Sequence, residues 1–411
     1  MTVLVLGWKP EYGSIIASLG LKCVIVLGEQ ERAANAPSSV PGCEVVRVKD
    51  VADVARVLSA LSRAGYRGSD FTAVHTDREQ LIVPAAVIAR LWECRGMPVE
   101  GAMSGHDKWL QKEAVRAAGV RVPRIELLPF DPDERAATLR RFCYPALLKP
   151  IASSRSRYIS VVADAEEAIA LTRLGPPAGS EDTEAFTVEE YLDHPEIHID
   201  GLVRDGEFGL VSLGGYRVNI LAAREHAEVS SILLDPYEDE HRYAAARELC
   251  EAAFQGMGLP DAVFHLEAFD TPAGLIFSEC AVRVGGTFIP EVVQAKFGVD
   301  LRLAAFELAL GRRFSQAPQV RPRCVGWTYL PAPPGKLLAW PDAGSVLARP
   351  GVDRAKVEPT GSRLAAGHSS QARRIGLAVV EGDDRTQVDR RIAELVDWFR
   401  SHVRTEGKRD E

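Results

Sequence analysis

The first hundred residues constrain the fold more than any other part of the chain. Thr2–Leu6 and Cys23–Leu27 are short apolar runs typical of buried strands, and a loop and a helical segment separate them. Two buried strands joined through a helix form a βαβ unit, which implies a parallel sheet. The strand-like Phe71–His75 and the helical Glu79–Cys94 continue the alternation. This pattern predicts a small doubly wound α/β domain, and it lacks the G-x-G-x-x-G fingerprint of dinucleotide binding.

Length and composition narrow the class of protein. The 411 residues are enough for two to four domains, at roughly 100–200 residues each. With 49 basic against 57 acidic residues the net charge is −8, which argues against broad nucleic-acid binding. The apolar stretches are far shorter than a membrane span, and the N-terminus does not resemble a signal peptide. Seven scattered cysteines without zinc-site spacing predict reduced thiols and a cytoplasmic protein.

Two glutamates are expected to face each other in a hairpin. The strand-like runs Phe264–Phe269 and Leu275–Cys280 flank a turn, and a hairpin centred on residue 273 places Glu267 opposite Glu279. Cross-strand partners lie about 4.5–5.5 Å apart at Cβ, so the two carboxylates repel each other unless a charge offsets them. Mg²⁺ does this well, because it prefers carboxylate and phosphate oxygens. The pair therefore predicts a divalent metal site.

The residues after the second glutamate extend the candidate site. Strand alternation puts Arg283 on the same face as Glu279, and Gly285 and Gly286 follow where a ligand could approach the backbone. The alternative is an edge hairpin with solvated charges and one salt bridge. The apolar neighbours favour the site, because buried charges need partners.

Two lysines add a candidate phosphate site. Lysine is scarce here, with 10 against 39 arginines, so its position in a motif is informative. Lys108 lies at the start of a helix that Ser104 is expected to cap, and Lys149 ends an apolar strand. A polar loop containing Ser154 and Ser156 follows and could fold over phosphates. The alternatives are a surface lysine at position 108 and a snorkelling one at 149.

Taken in chain order, these segments resemble the ATP-grasp superfamily over roughly residues 104–290. The matching segments are Asp107-Lys108, Gly119–Pro123, Tyr144–Pro150, Val188–Leu192, His265–Glu267 and Glu279–Gly286. Within the superfamily the chain is most similar to carboxylate–amine ligases of the bacterial L-amino-acid ligase type. The resemblance implies an α/β and α+β multidomain architecture with an N-terminal domain (1–103), a small lid subdomain (104–190), a large subdomain with the metal site (191–320) and a C-terminal subdomain (321–411).

The resemblance also implies roles for individual residues. Those expected to bind ATP are Lys108, Lys149, Ser154, Ser156, Glu189, Glu190, Tyr191, Leu192 and Glu196. Glu267 and Glu279 are expected to bind one or two Mg²⁺ ions, with Mn²⁺ as an alternative, and Arg283 to act in catalysis. His198, Gly285 and Gly286 are expected near the substrate, and either His198 or His265 is a candidate to accept the proton of the amine.

The implied activity is ATP-dependent amide formation. A small-molecule carboxylate would become an acyl-phosphate and an amine would displace the phosphate, in a monomer or homodimer with no nucleic-acid or membrane partner. One departure is Ala281, where many members carry Asn. The alternatives are a biotin-carboxylase or purine-biosynthesis type of enzyme and a non-catalytic nucleotide-binding protein. Apolar residues around Ile220, Leu221 and Ile232–Leu234 would favour a larger amino-acid pocket over the former.

Overall fold

The computed structural model describes residues 1–29, 31, 37–150, 159–173, 186–221, 228–259, 261–333, 336–362 and 374–406. Within these ranges the strands are β1 (Thr2–Leu6), β2 (Lys22–Gly28), β3 (Cys43–Val48), β4 (Ala73–His75), β5 (Ile125–Leu127), β6 (Ala146–Pro150), β7 (Ser160–Val162), β8 (Phe186–Glu190), β9 (Glu196–Arg204), β10 (Glu207–Tyr216), β11 (Ser230–Leu233), β12 (Ala262–Thr271), β13 (Gly274–Ala281), β14 (Cys324–Pro331), β15 (Leu337–Ala339), β16 (Val352–Val357), β17 (Arg374–Gly382) and β18 (Arg404–Thr405). The helices are α1 (Tyr12–Ser18), α2 (Val54–Arg63), α3 (Ile82–Leu91), α4 (Val99–Ser104), α5 (Lys108–Ala117), α6 (Pro132–Arg140), α7 (Ala165–Arg173), α8 (Glu240–Met257), α9 (Ile289–Phe297), α10 (Leu301–Ala309), α11 (Ala343–Leu347) and α12 (Arg385–His402).

The N-terminal region forms a parallel sheet, as its βαβ opening predicts. The strand order is β3-β2-β1-β4, and β1 pairs in parallel with both β2 and β4. Residues 3–6 of β1 are all buried, because apolar side chains cover both faces of the sheet. The predicted combination of a parallel N-terminal domain with α+β subdomains is confirmed.

A second, small sheet is antiparallel, with the order β5-β8-β6-β7. Helices α6 and α7 pack on it through an apolar cluster that includes Leu139, Ile169 and Leu148. This sheet carries Lys149 at the end of β6 and Glu189 near the end of β8.

The largest sheet has eight antiparallel strands in the order β13-β12-β9-β10-β11-β14-β17-β16. One apolar cluster joins it to α5 and α8, and another joins it to α9 and α10. The sheet continues past residue 320, because β11 pairs with β14 and β14 with β17. The expected subdomain boundary at 320/321 therefore falls between strands of one continuous sheet.

Helix α5 begins in a different place from the one that the sequence suggests. Ser104 ends α4, and the side chain of Asp107 caps α5 by accepting bonds from the backbone N–H groups of Trp109 and Leu110. The expectation that Ser104 caps this helix is wrong, because Asp107 lies directly before the first helical residue. Lys108 is therefore the first residue of α5.

The buried face of α5 is largely polar. Gln111 donates through Nε2 to the carbonyl of Cys280 at 2.7 Å and accepts from the N–H of Cys280 at 2.9 Å. This amide pair holds α5 against β13, and Lys108 lies three positions earlier on the same helix face. No helix in the described part of the chain is long and apolar enough to span a membrane.

Candidate functional site

The small sheet and the large sheet enclose a cleft that collects seven of the fifteen predicted site residues. Its lining includes Lys108, Lys149, Glu196, Glu267 and Glu279. The remaining lining residues are Leu147, Ile159, Tyr191, Leu192, Asn219, Ile220, Leu221, Phe269 and Ser278. The cleft therefore combines Lys149 from the small sheet and Lys108 from α5 with three carboxylates from the large sheet.

The predicted carboxylate pair is present. Glu267 on β12 is the cross-strand partner of Glu279 on β13, although the turn is centred between Pro272 and Ala273 and not on residue 273. Ser278 is an extra residue in β13, and this β-bulge restores the pairing of the two glutamates. The bulge also brings Ser278 into the cleft beside Glu279.

Glu279 forms an ion pair with Lys108, the first residue of α5. This helix packs directly against β13, the strand that carries Glu279. Burial alone would raise the pKa of Glu279, but Lys108, followed by Lys149 and Lys112, lowers it below its ordinary value. The carboxylate is therefore held in the ionised form that a metal ion requires.

A second charge cluster lies behind Lys149. Glu189 is buried and accepts from two lysines, Lys112 Nζ at 2.9 Å and Lys149 Nζ at 3.0 Å, on separate carboxylate oxygens. Burial opposes ionisation of Glu189, yet the two lysines lower its pKa. Burial likewise lowers the pKa of Lys112 to about 8. Glu189 thus contacts lysines, and its burial does not agree with the direct ATP contact expected of its side chain.

Lys112 and Gln111 are functional neighbours that sequence reasoning missed. They follow Lys108 by four and three positions, so they share its face of α5, and all three are buried. The scarcity of lysine and the spacing of these residues from Lys108 are the two sequence features that could have indicated them. An apolar periodicity, the usual sign of a buried helix face, is absent there.

The segment after β8 borders the same cleft. Tyr191 and Leu192 line it, whereas Glu190 is exposed and accepts from the backbone N–H of Arg124 at 3.1 Å. Ser154 and Ser156 lie outside the described residues.

Glu196 enters the cleft from β9. Its Oε2 accepts from the backbone N–H of Ile220 at 2.7 Å. Burial, followed by repulsion from Glu267, raises the pKa of Glu196 to about 7. Glu196 therefore takes up a proton more readily than Glu279 does.

Behind Glu267, buried polar groups cross the large sheet. His198 donates through Nδ1 to Asp200 Oδ2 at 2.6 Å, and its Nε2 lies 2.7 Å from Ser231 Oγ. Asp200 Oδ1 lies 2.8 Å from His265 Nδ1, and His265 Nε2 lies 3.4 Å from Glu267 Oε1. We refer to Ser231, His198, Asp200 and His265 as the relay.

The relay corrects the role expected of His198. The residue is fully buried and both of its ring nitrogens have protein partners, so it is not placed to contact a substrate or accept its proton. His265 is also occupied, since Asp200 and Glu267 flank its ring. Burial opposes the charged form of His265, but those two carboxylates raise its pKa to about 10.

Arg283 lies beyond the end of β13 and not on the strand face with Glu279. Its guanidinium forms an ion pair with Glu79 at 2.6 Å and lines a cavity of about 510 Å³ between the N-terminal sheet and the large sheet. Burial opposes ionisation, but Glu79, Asp77 and then Glu279 raise the pKa of Arg283 above its ordinary value. It therefore occupies the border between this cavity and the metal-site candidate.

The two predicted substrate glycines and the predicted apolar pocket residues differ in their exposure. Gly285 is buried, and a Cβ atom there would lie 2.6 Å from Asp200 Oδ1, so the glycine is required by the relay beside it. Gly286 is exposed. The residues Ile232–Leu234 are buried in apolar clusters and do not form a pocket wall, whereas Ile220 and Leu221 do line the cleft.

The donor set fits a hard divalent cation. Two carboxylates face each other, and each has a cationic neighbour, Lys108 for Glu279 and His265 for Glu267. Tyr216 donates to Glu267 Oε1 at 3.2 Å, on the same oxygen that faces His265. The other oxygen, Oε2, is therefore the one available to a metal ion, and Mg²⁺ bound by two carboxylates takes its remaining ligands from phosphate and water.

Several known proteins are similar to this chain in sequence. No protein-family model matches the chain. The sequence is 24% identical over 293 residues to an L-arginine-specific L-amino acid ligase from Bacillus subtilis, covering 71% of this chain and 70% of the relative. A shorter match, 39% identical over 82 residues, is to carnosine synthase 1 from Homo sapiens, and it covers 19% of this chain and 10% of that protein.

The fold has well-matched solved relatives. An L-amino acid ligase from Bacillus licheniformis superposes with a TM-score of 0.80 at 18% identity, covering 99% of both chains. A biotin carboxylase from Campylobacter jejuni superposes with a TM-score of 0.69 at 16% identity, covering 98% of this chain and 91% of that one. At these identities the likeness establishes the shared fold.

Proposed function

We propose that this chain, which has the ATP-grasp fold, is an ATP-dependent carboxylate–amine ligase that forms an amide through an acyl-phosphate. The observation that carries the proposal is the cleft in which Lys108 and Lys149 converge on Glu267 and Glu279. We also propose the divisions 1–103, 104–190, 191–320 and 321–411 as its working regions, the last two of which share the large sheet.

On the nucleotide side, Lys108 and Lys149 would hold the phosphates of ATP. Each now pairs with a carboxylate, Lys108 with Glu279 and Lys149 with Glu189. Tyr191 and Leu192 line the same cleft, and their backbone and apolar surface would receive adenine. Ser154, Ser156, Glu190 and Glu196 are further proposed contacts of ATP.

On the metal side, Glu267 and Glu279 would hold Mg²⁺, or Mn²⁺, with one ion better supported than two because Ala281 offers no further ligand. Bound there, the ion would neutralise phosphate charge during phosphoryl transfer. The chain's own groups orient the carboxylates: Lys108 holds Glu279, while Tyr216 and His265 hold one oxygen of Glu267.

In the proposed reaction the substrate carboxylate attacks the γ-phosphate of ATP, and ADP leaves. The amine then attacks the acyl carbon, phosphate departs, and the amide forms. Arg283 would stabilise the negative charge that develops on the carbonyl oxygen, as preorganised donors do in other acyl transfers. The adjacent cavity and the Gly285–Gly286 backbone would hold the substrates.

Amino acids are the substrate class that the relatives favour. The Bacillus subtilis relative is named for L-arginine, so L-arginine is the first candidate for either substrate of this chain. Apolar side chains, including those of Ile82, Val282 and Leu308, line the cavity of about 510 Å³ beside Arg283, which suits an amino acid better than bicarbonate. A cytoplasmic location is also proposed, because the seven cysteines are free thiols, as expected of a reducing compartment.

The test is a matrix of amino-acid pairs incubated with ATP and Mg²⁺, with ADP, AMP and phosphate measured separately. We expect ADP and phosphate in equal amounts, and only when both a carboxylate and an amine are present. AMP with pyrophosphate would exclude this mechanism. ADP formation with bicarbonate would favour the biotin-carboxylase type, and the absence of ADP with every pair would favour a non-catalytic protein.

Matched variants assign the activity to the cleft. Glu279→Gln removes a charge at nearly constant shape and should lower ADP formation by at least about a hundredfold, as the loss of a group that stabilises transition-state charge commonly does. Glu251→Gln, the same substitution on the exposed surface of α8, should leave it unchanged.

A further inference from the structure

We infer that the relay of Ser231, His198, Asp200 and His265 fixes the orientation of Glu267, and so sets how tightly the metal ion binds with nucleotide. The inference rests on the metal site proposed above. It assigns positioning roles to four buried residues that would not touch substrate, nucleotide or metal.

The strand register places the relay on one face of the large sheet. His198 is the cross-strand partner of Glu267, and Asp200 is the partner of His265, across the β9–β12 pair. Ser231 belongs to β11, which lies beyond β10. Because cross-strand partners share a face, three hydrogen bonds run sideways from Ser231 to His265. An ion-pair contact of 3.4 Å then joins His265 to Glu267.

The packing leaves the relay little freedom. His198 and Asp200 are fully buried, and Ser231 is 1% exposed. A Cβ atom at Gly214 would collide with the ring of His198, so the glycine makes the space in which that ring reaches Ser231. At the other end Gly285 lies against Asp200 Oδ1, so the same carboxylate also supports the proposed substrate loop.

The side from which His265 contacts Glu267 explains how the relay would change metal affinity. His265 and Tyr216 both approach Glu267 Oε1, from 3.4 Å and 3.2 Å. With that oxygen held from behind, the carboxylate cannot rotate freely and Oε2 points to the cleft. Groups that orient metal ligands in this way commonly change metal affinity by about 10–100-fold when they are removed.

The alternative for these residues is a metal centre in their own right. Donor atoms of His198, Asp200 and His265 lie within 4.8 Å of one another. However, the two rings contact different oxygens of Asp200 at 2.6 Å and 2.8 Å, which are hydrogen-bond distances. A bound ion would instead draw the three donors toward one point.

The experiment measures Mn²⁺ binding to the full chain at saturating ADP, by calorimetry, and ADP binding separately in EDTA. Asp200→Asn should weaken Mn²⁺ binding about tenfold or more and leave ADP binding in EDTA nearly unchanged. Ser231→Ala, at the far end of the relay, should weaken Mn²⁺ binding in the same direction by about two- to fivefold. Neither readout requires turnover.

Ser230→Ala is the matched control. Ser230 precedes Ser231 on β11, is equally buried, and faces the opposite side of the sheet, and its Oγ has no hydrogen-bond partner among the described residues. It should bind Mn²⁺ like the unaltered protein. Circular dichroism checks folding, and if Asp200→Asn does not fold, the comparison of Ser231→Ala with Ser230→Ala decides.

Equal Mn²⁺ affinity in Ser231→Ala and Ser230→Ala, or in folded Asp200→Asn and the unaltered protein, would overturn the relay. Tight Zn²⁺ binding without ADP, lost in His198→Asn, would overturn it in favour of a separate metal centre. If the unaltered protein shows no ADP-dependent Mn²⁺ binding at all, the proposed metal site itself fails, and the relay with it.

Discussion

Two buried carboxylates support the candidate site from opposite sides, and they differ in what surrounds them. Behind the phosphate side, Glu189 lies between Lys112 and Lys149, with one lysine on each oxygen. Behind the metal side, Asp200 lies between His198 and His265, with one ring on each oxygen. Lys149 lines the cleft, and His265 contacts Glu267, which lines it. Glu189 and Asp200 therefore act on the cleft only through other side chains.

The difference in the flanking side chains indicates different tasks. A lysine carries its charge at the end of a flexible stem, so in the proposed site Lys149 would exchange Glu189 for a phosphate while Lys112 stays beside the carboxylate. A histidine ring is rigid and offers two fixed directions, so the Asp200 cluster is suited to hold geometry. We therefore expect the proposed phosphate side to depend on charge balance and the proposed metal side to depend on orientation.

The largest expected effect is the loss of unfolding free energy when the charge of Glu189 or of Asp200 is removed. Glu189→Gln leaves two buried lysines without a counterion and should cost about 3–5 kcal/mol of unfolding free energy. Asp200→Asn should cost less, because an ordinary histidine has a pKa of about 6.5 and gives up its proton at pH 7 at little cost. Neutralising Lys112, whose pKa burial lowers to about 8, still costs free energy at that pH. Urea unfolding at pH 7 measures both, and equal losses would remove the distinction between the clusters.

The next effect separates the two lysines. Lys149→Met should weaken ATP binding by about 10–100-fold, the loss expected for one charge-assisted hydrogen bond. Lys112→Met should weaken it less, about threefold to tenfold, because Lys149 then has to leave Glu189 without any other counterion. Fluorescence titration with ATP checks this, with Lys336→Met, on an exposed lysine, as the control. A larger loss in Lys112→Met than in Lys149→Met would contradict the exchange.

The smallest effect concerns Glu196, which forms no ion pair with the residues that the structure describes. Its pKa of about 7 in the folded chain lies above the unfolded value, so the folded protein holds a proton that the unfolded chain releases between about pH 4.5 and 7. Its contribution to stability therefore falls as pH rises through that window. Glu196→Gln should gain roughly 1–2 kcal/mol over the unaltered protein at pH 8 and little at pH 5, after allowance for partial exposure.

Unfolding measured at the two pH values tests this, since the side-chain amide introduced by Glu196→Gln can still accept from the N–H of Ile220. Glu251→Gln serves as the surface control and should show the same small difference at both pH values. A stability gain of equal size at pH 5 and pH 8 would mean that Glu196 does not titrate in this range.

The sequence predicts the parts of the site that depend on local pattern. The hairpin around Pro272 places Glu267 opposite Glu279 from spacing alone, although a bulge at Ser278 was needed for the register to hold. The parallel N-terminal sheet follows from one βαβ unit. Lys108 and Lys149 enter the cleft as the resemblance implies.

What the sequence misses depends on contacts between distant segments. Alternation puts Glu196, His198 and Asp200 on one face of β9, but it does not tell which part of that face is covered, and so it leaves His198 as a candidate for the substrate site. The partnership of Lys112 with Glu189 joins residues 77 positions apart. Such buried polar pairs leave no apolar periodicity from which to predict them.

The docking of α5 on β13 has a consequence for solubility. Strand β13 is the outermost strand of the large sheet, and such a strand can recruit a strand from another molecule. Gln111 occupies both backbone groups of Cys280, and the carbonyl of Arg121 accepts from the N–H of Phe277 at 2.9 Å. The helix that carries Lys108 and the segment that follows it therefore cover backbone groups of this edge, so the residues that build the candidate site also disfavour edge-to-edge pairing with another molecule.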